Sequence, residues 1–193
     1  MASPYKDITG FVLAGGSSRR LGTDKRKIVI GGISLLDRAR SLLERFLERP
    51  AYIVGDNLAG LYLDPRYEIP DAQRGRGPMG GLVAAITRCP TNWCLILPVD
   101  LPRLRTSDLQ NLANNRSSAF DVVTLSRDGH PEPLAALYNV RTAAFWRDQL
   151  DSGMLSVIDA IRTLRWRPVM LGRSATSLDS VNTPEDLARV VDL

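Results

Sequence analysis

The chain has 193 residues, 44% of them hydrophobic, with a formal charge of +4 and a pI near 9.4, which suits one domain with a full core. No apolar run is long enough to cross a bilayer, and the opening MASPYKDITG lacks the apolar stretch of a secretory leader, so a cytoplasmic protein with no membrane partner is expected. The basic residues are scattered and not interleaved with aromatics, which argues for a small polyanion rather than nucleic acid, and the two cysteines, without partnering histidines, make no zinc site.

The first element is an apolar strand, Ile8–Leu13, which runs straight into Ala14, Gly15, Gly16, Ser17, Ser18, Arg19, Arg20, Gly22 and Lys25. Glycines without Cβ atoms let backbone N–H groups approach an anion, and Arg20 and Lys25 add positive charge at the same place. The P-loop signature is excluded, because it needs a lysine directly after the last glycine and a hydroxyl residue after the lysine. Here Thr23 and Asp24 separate Gly22 from Lys25, and Arg26 follows. The cradle is therefore of another kind, at the carboxyl end of a first strand, where open α/β sheets bind ligands.

Ser34–Leu47 carries Leu35, Leu36, Ala39, Leu42, Leu43, Phe46 and Leu47 at helical spacing. Ala51–Val54 and Tyr67–Ile69 read as short strands, and a helix is expected over Leu82–Arg88. Between them lies Asp71–Gly81, in which Gly75-Arg76-Gly77-Pro78-Met79-Gly80 satisfies G-x-G-x-x-G. A dinucleotide fingerprint should follow its strand at once, and here Asp71-Ala72-Gln73-Arg74 intervenes. The better reading is a loop whose Gly80-Gly81 pair lets a base or ribose approach the start of the helix. Arg74 and Arg76 join Arg20 and Lys25 as candidate contacts for the polyanion.

Trp93–Val99 is a strand apolar on both faces, as central parallel strands are. It ends in a single carboxylate, Asp100, bracketed by Pro98 and Pro102. Such a carboxylate either caps the turn or holds Mg²⁺, a cation that takes one or two carboxylates plus substrate phosphate oxygens. Beside the first loop, the magnesium reading is favoured.

Ser107–Asn114 reads as a helix, Asp121–Leu125 and Leu134–Tyr138 as two strands joined by a turn at Arg127-Asp128-Gly129, Thr142–Leu150 and Ser156–Leu164 as helices, and Trp166–Met170 as a strand. Thr183-Pro184-Glu185-Asp186 is a helix start: a hydroxyl cap, proline in the first turn and an acid three residues after the cap. The alternation predicts an α/β fold in three layers, α/β/α, with a Rossmann-like, mostly parallel sheet and an added antiparallel strand pair, all in one domain. His130 is the only histidine, so a Ser-His-Asp triad gains no support, and Cys94, Trp93, Trp146 and Trp166 fit core positions.

These residues together resemble the molybdenum cofactor guanylyltransferases, the MobA family. The family's opening LAGGxSxRxGxDK is matched without a gap by Leu13-Ala14-Gly15-Gly16, Ser18, Arg20, Gly22, Asp24 and Lys25. Asp71, the Gly-Pro-Met-Gly-Gly loop, Val99-Asp100-Leu101-Pro102, Glu132-Pro133-Leu134 and Val181-Asn182-Thr183-Pro184-Glu185-Asp186-Leu187 follow in the family's order. The resemblance implies transfer of GMP from GTP to molybdopterin with release of pyrophosphate. It implies nucleotide contacts from Leu13, Ala14, Gly15, Gly16, Lys25 and Asp71, to which the loop readings above add Ser17, Gly80 and Gly81, together with catalytic roles for Arg20, Lys25 and Asp100, Mg²⁺ on Asp100, and a pterin-side role for Asn182. Transient contacts with proteins that supply or receive the cofactor belong to the same implication. Two departures stand out: Gly55 replaces the first asparagine of Asn-Ala-Asn, and Ser180 that of Asn-Val-Asn. The rival readings are a cytidylyltransferase, against which Gly15 speaks because those relatives have LAAG, a sugar-phosphate nucleotidyltransferase, and a non-catalytic nucleotide-binding module.

Overall fold

The computed structural model describes residues 4–15, 22–61, 63–172 and 174–190. Seven strands form one sheet in the order β5-β4-β1-β6-β8-β7-β9, where β1 is Ile8–Leu13, β4 Tyr52–Val54, β5 Glu68–Ile69, β6 Trp93–Pro98, β7 Val122–Arg127, β8 His130–Asn139 and β9 Trp166–Met170. β4, β1 and β6 pair in parallel, as do β4 with β5 and β7 with β9, while β8 runs against both β6 and β7. The expected antiparallel pair is thus present but not appended: β8 is built into the sheet and is the one reversed strand among those described. Its turn onto β7 is left-handed at Asp128 and Gly129, as a tight hairpin requires.

Helices cover both faces. α1 (Leu35–Leu47) and α3 (Thr106–Asn114) pack on one, α2 (Pro78–Arg88), α4 (Ala143–Asp151) and α5 (Val157–Arg162) on the other. The period of two along β1 decides which side each residue serves. Ile8 and Val12 join Leu36, Leu43 and Leu47 of α1, and Phe11 and Leu13 join Met79, Leu82 and Ile86 of α2. Full burial of each such side chain stabilises the fold by about 1.5–3 kcal/mol. At Gly10 the helix comes so close that an added Cβ would stand 2.9 Å from Leu47 Cδ1.

Two local features depart from the sequence reading. A small hairpin, β2 (Val29–Ile30) with β3 (Ile33–Ser34), turns at Gly31 and Gly32, both with positive φ. Helix α2 begins at Pro78, so Gly80 and Gly81 lie inside its first turn rather than before it. Proline preset for the first helical position starts the turn, and packing outweighs the poor helix propensity of glycine. The short α6 (Pro184–Ala188) has the expected box: Thr183 Oγ1 accepts from Asp186 N–H at 3.2 Å, and Asp186 Oδ2 accepts from Thr183 N–H at 3.0 Å.

Candidate active site

The strand order places the crevice. From β1 the chain passes through α1 to β4 and β5 on one side, then returns through α2 to β6 on the other. Ligands of open α/β sheets bind outside the carboxyl ends where the order reverses in this way. Leu13 lies level with Val54 on one neighbour and Pro98 on the other, so the segments leaving β1, β4 and β6 emerge side by side. A cleft of about 230 Å³ opens there, and its lining includes Leu13, Ala14, Gly15, Lys25, Asp71 and Asp100.

Lys25 stands at one wall. Asp24 caps the short 3-10 turn Lys25–Lys27 by accepting from Arg26 N–H at 3.0 Å. The Arg26 guanidinium folds back on the same carboxylate with two bonds of 2.8 Å, and its remaining amino group donates to the carbonyls of Asp56 at 3.2 Å and Asn57 at 3.1 Å. A planar fork can hold two walls in register where a lysine ammonium would not. Lys25 Nζ donates to Asp100 Oδ2 at 3.1 Å and to Asn182 Oδ1 at 2.5 Å. The C-terminal segment is fixed to the end of β6 by Val181 N–H, which donates to the Asp100 carbonyl at 2.9 Å. Three segments far apart in the chain therefore meet on one ammonium group.

Asp71, just beyond β5, forms the opposite wall. Its carboxylate packs between two glycines: a Cβ on Gly15 would lie 3.3 Å from Oδ2, and one on Gly81 3.2 Å from Oδ1. Oδ1 is buried and has no hydrogen-bond partner. Burial, with the charge of Asp56 adding to it, pushes this carboxyl up to about 6. Gly80 serves packing: a Cβ there would meet the Gln73 carbonyl at 2.7 Å. Gly55, just after β4, packs behind the lining residues Ala14 and Gly15. At φ +156 an added Cβ would stand 2.8 Å from Gly15 N and 2.9 Å from Ala14 C, so strand β4 and the first loop touch through a glycine.

The site residues expected from the sequence divide accordingly. Leu13, Ala14, Gly15, Lys25, Asp71, Gly81 and Asp100 line the cleft, and Asn182 reaches it through Lys25. Gly80 lies in the first turn of α2, against the Asp71 segment. Gly16, Ser17 and Arg20 lie outside the described residues. Arg74 and Arg76 are exposed and absent from the lining; Arg74 faces Asp56 at 3.6 Å and Arg76 donates to Gln73 Oε1 at 3.2 Å. Arg26 and Leu134 line the cleft without having been singled out as nucleotide contacts. Leu134 follows Glu132, whose carboxyl is raised chiefly by burial and further by Asp100. Only the Asp24 beside it could have pointed to Arg26, since the carbonyls it reaches are distant in sequence.

Among the described residues, no three His, Cys, Asp or Glu side chains converge as a metal cage. Asp100 and Asn182 nevertheless offer a carboxylate and an amide oxygen, both hard donors, and both already turned toward one cation, the Lys25 ammonium. That donor set suits a magnesium ion completed by water and phosphate oxygens.

A mostly parallel α/β sheet with a glycine-lined cleft at its switch point, an acid-paired lysine and a strand-end aspartate suits a nucleotidyltransferase. Residues 10–165 match the family model described as the MobA-like NTP transferase domain, and the chain belongs to that family. It is 31% identical to a "Probable molybdenum cofactor guanylyltransferase" of Chloroflexus aggregans, over 95% of this chain and 93% of that protein. The protein of the same name in Deinococcus radiodurans is 33% identical, again over 95% and 93%. The crystal structure of molybdopterin-guanine dinucleotide biosynthesis protein A from Archaeoglobus fulgidus shares the fold, with a TM-score of 0.80, 24% identity and coverage of 95% of this chain and 97% of that one.

Proposed function

We propose that the chain transfers GMP from GTP to the terminal phosphate of molybdopterin, releasing pyrophosphate. The observation that carries this reading is the convergence of Lys25, Asp100 and Asn182 at a cleft whose other wall is an unpartnered Asp71 carboxylate. The names of the relatives support the acceptor.

The chemistry needs no protein nucleophile. A phosphate oxygen of the acceptor attacks the α-phosphorus of GTP, a bond to that phosphorus forms, and the bond to the pyrophosphate oxygen breaks. The protein must hold two anions together in line, so positioning and charge neutralisation supply most of the rate. Lys25 and Arg20 neutralise the departing pyrophosphate. A magnesium ion, held by Asp100 with Asn182 beside it, would supply Lewis-acid stabilisation of phosphate charge. Asp71 faces the base. Guanine presents two adjacent donors, N1–H and the 2-amino group, which a carboxylate accepts together, whereas the cytosine edge offers one donor beside an acceptor. The glycines at 15 and 81 leave room for the ring to reach that carboxylate.

The test is pyrophosphate release with molybdopterin as acceptor and GTP, CTP and ATP supplied in turn with Mg²⁺. Release with GTP at least tenfold faster than with CTP is expected. Equal or faster release with CTP overturns the guanine assignment, and nucleotide binding without release overturns the transfer.

A further inference from the structure

We propose that Ser180 is a positioning residue: its hydroxyl sets the orientation of the Asn182 amide, and through it the place of the Lys25 ammonium. This rests on the reading of Lys25 as a triphosphate contact. Ser180 Oγ accepts from Asn182 Nδ2 at 2.7 Å, while the other end of the same amide, Oδ1, accepts from Lys25 Nζ at 2.5 Å.

The argument concerns the one freedom left to Asn182. Its backbone is pinned from both sides: Val181 N–H is bonded to the Asp100 carbonyl at 2.9 Å, and the N–H groups of Asn182 and Thr183 both donate to Asp186 Oδ2 at 3.0 Å. What remains is rotation of the side chain, and above all the half-turn that exchanges the amide oxygen and nitrogen. An ammonium group only donates, so the oxygen must face Lys25. In the exchanged state the amide NH₂ would meet the ammonium, donor against donor. Lys25 alone could enforce the correct state only while it stays in place, and a lysine that engages a triphosphate must be able to shift. Ser180 supplies an acceptor for the amide nitrogen that does not depend on where the lysine is. The amide oxygen then stays turned to the place of the Lys25 ammonium throughout a catalytic cycle, ready for the ammonium or for a cation.

The departure of this chain from the family's Asn-Val-Asn acquires a physical meaning here. Position 180 must offer a hydrogen-bond acceptor to the amide two residues on, and either a hydroxyl or an amide oxygen meets that need. Ser180 is half-buried, so the bond is partly sheltered from competing water.

Two nearly isosteric variants isolate the hydroxyl: Ser180→Thr keeps it and Ser180→Val removes it. Transfer is followed by pyrophosphate release, and GTP affinity by calorimetry with Mg²⁺ present. For Ser180→Val, kcat should fall about tenfold, as when a group orienting a site ligand is lost, while the Kd for GTP rises by a clearly smaller factor, because the Lys25 contact is displaced and not removed. Ser180→Thr should keep kcat within twofold of the wild type, and Ser180→Asn should keep most of it. Thermal melts of the variants show whether each is folded. If Thr and Val behave alike, or if Val weakens GTP binding and kcat in equal proportion, the positioning role is overturned. A wild-type protein that binds no GTP would instead overturn the functional reading on which this role is built.

Discussion

Lys25 Nζ and Asp100 Oδ2 lie 3.1 Å apart although 75 positions separate them in the chain, and both side chains are mostly shielded from solvent, at 17% and 25% exposure. Neither group is needed to close the core, since each sits beyond the end of β1 or β6 at the cleft. Asp100→Ala should therefore leave the melting temperature within a few degrees of the wild type. Turnover should drop at least about a hundredfold, the usual consequence of losing an electrostatic stabiliser. Lys25→Ala should weaken GTP binding, read by calorimetry. Near-normal Mg²⁺-dependent release by the Asp100 variant would remove that carboxylate from the metal role, and unchanged affinity in the other would remove Lys25 from the nucleotide.

The Asp71 carboxyl makes a pH prediction with two opposite signs. Its folded value, about 6, lies above the ordinary 3.8. The folded protein thus binds more protons between those values, and stability falls as pH rises through that window. Asp71→Asn should remove this penalty and stabilise the ligand-free protein at pH 7.5, by on the order of 1 kcal/mol after allowance for partial exposure. Binding runs the other way. Two donors on a base prefer the ionised carboxylate, so wild-type GTP affinity should rise with pH up to and through about 6, and Asp71→Asn should flatten that rise and lessen the preference for GTP over CTP. Melting curves at several pH values and calorimetric titrations check both halves.

The sequence carried the strands of the main sheet, the glycine loop, the lysine and the strand-end aspartate because each follows from a local pattern: apolar runs, residues without Cβ, a charge after a breaker. It did not carry the partners. That Arg26 spans to the Asp56 and Asn57 carbonyls, or that Ser180 holds the Asn182 amide, depends on which segments the β4-β1-β6 order brings side by side. Gly80 and Gly81 read as loop from composition, whereas close packing on Gln73 and Asp71 draws them into a helix. Arg74 and Arg76 have the right charge and the wrong place, since charge alone says nothing about which way a loop turns its side chains.

The Gly55 departure has a steric cause that predicts its own mutation. A Cβ at this position would press against backbone at 2.8–2.9 Å, and backbone cannot swing away as a side-chain tip can. Gly55→Ala should destabilise the protein by about 1–3 kcal/mol, as overpacking generally does. Because the atoms displaced belong to Ala14 and Gly15, GTP affinity should suffer beyond the loss of stability. Gly55→Asn, which installs the residue type of the resembling family, should behave like Ala or worse, because the first loop here is seated on a glycine. Chemical denaturation and calorimetry on both variants give the answer; an Asn variant with improved affinity and unchanged stability would refute the steric account.

Far from the cleft, Asp121 predicts the acid limit of the fold. It accepts from Arg165 Nε at 2.9 Å and Nη2 at 3.0 Å, from Arg165 N–H at 3.1 Å, and from Arg141 Nε at 3.0 Å. Hydrogen bonds from Arg165 are the main cause of a carboxyl held down at about 2, with burial opposing and Arg141 adding. A depressed carboxylate contributes stability that is fully present above its unfolded value near 3.8 and lost as pH falls through about 2. The two arginines tie the start of β7 to the chain entering β9 and to the segment after β8, so protonation loosens three neighbouring strands together. Asp121→Asn should cost on the order of 1–2 kcal/mol at pH 7, discounted for the exposed guanidinium of Arg165. The difference from wild type should shrink toward pH 2, measured by urea denaturation across that range. A gap that stays constant down to pH 2 would mean that Asp121 acts through packing and not through its charge.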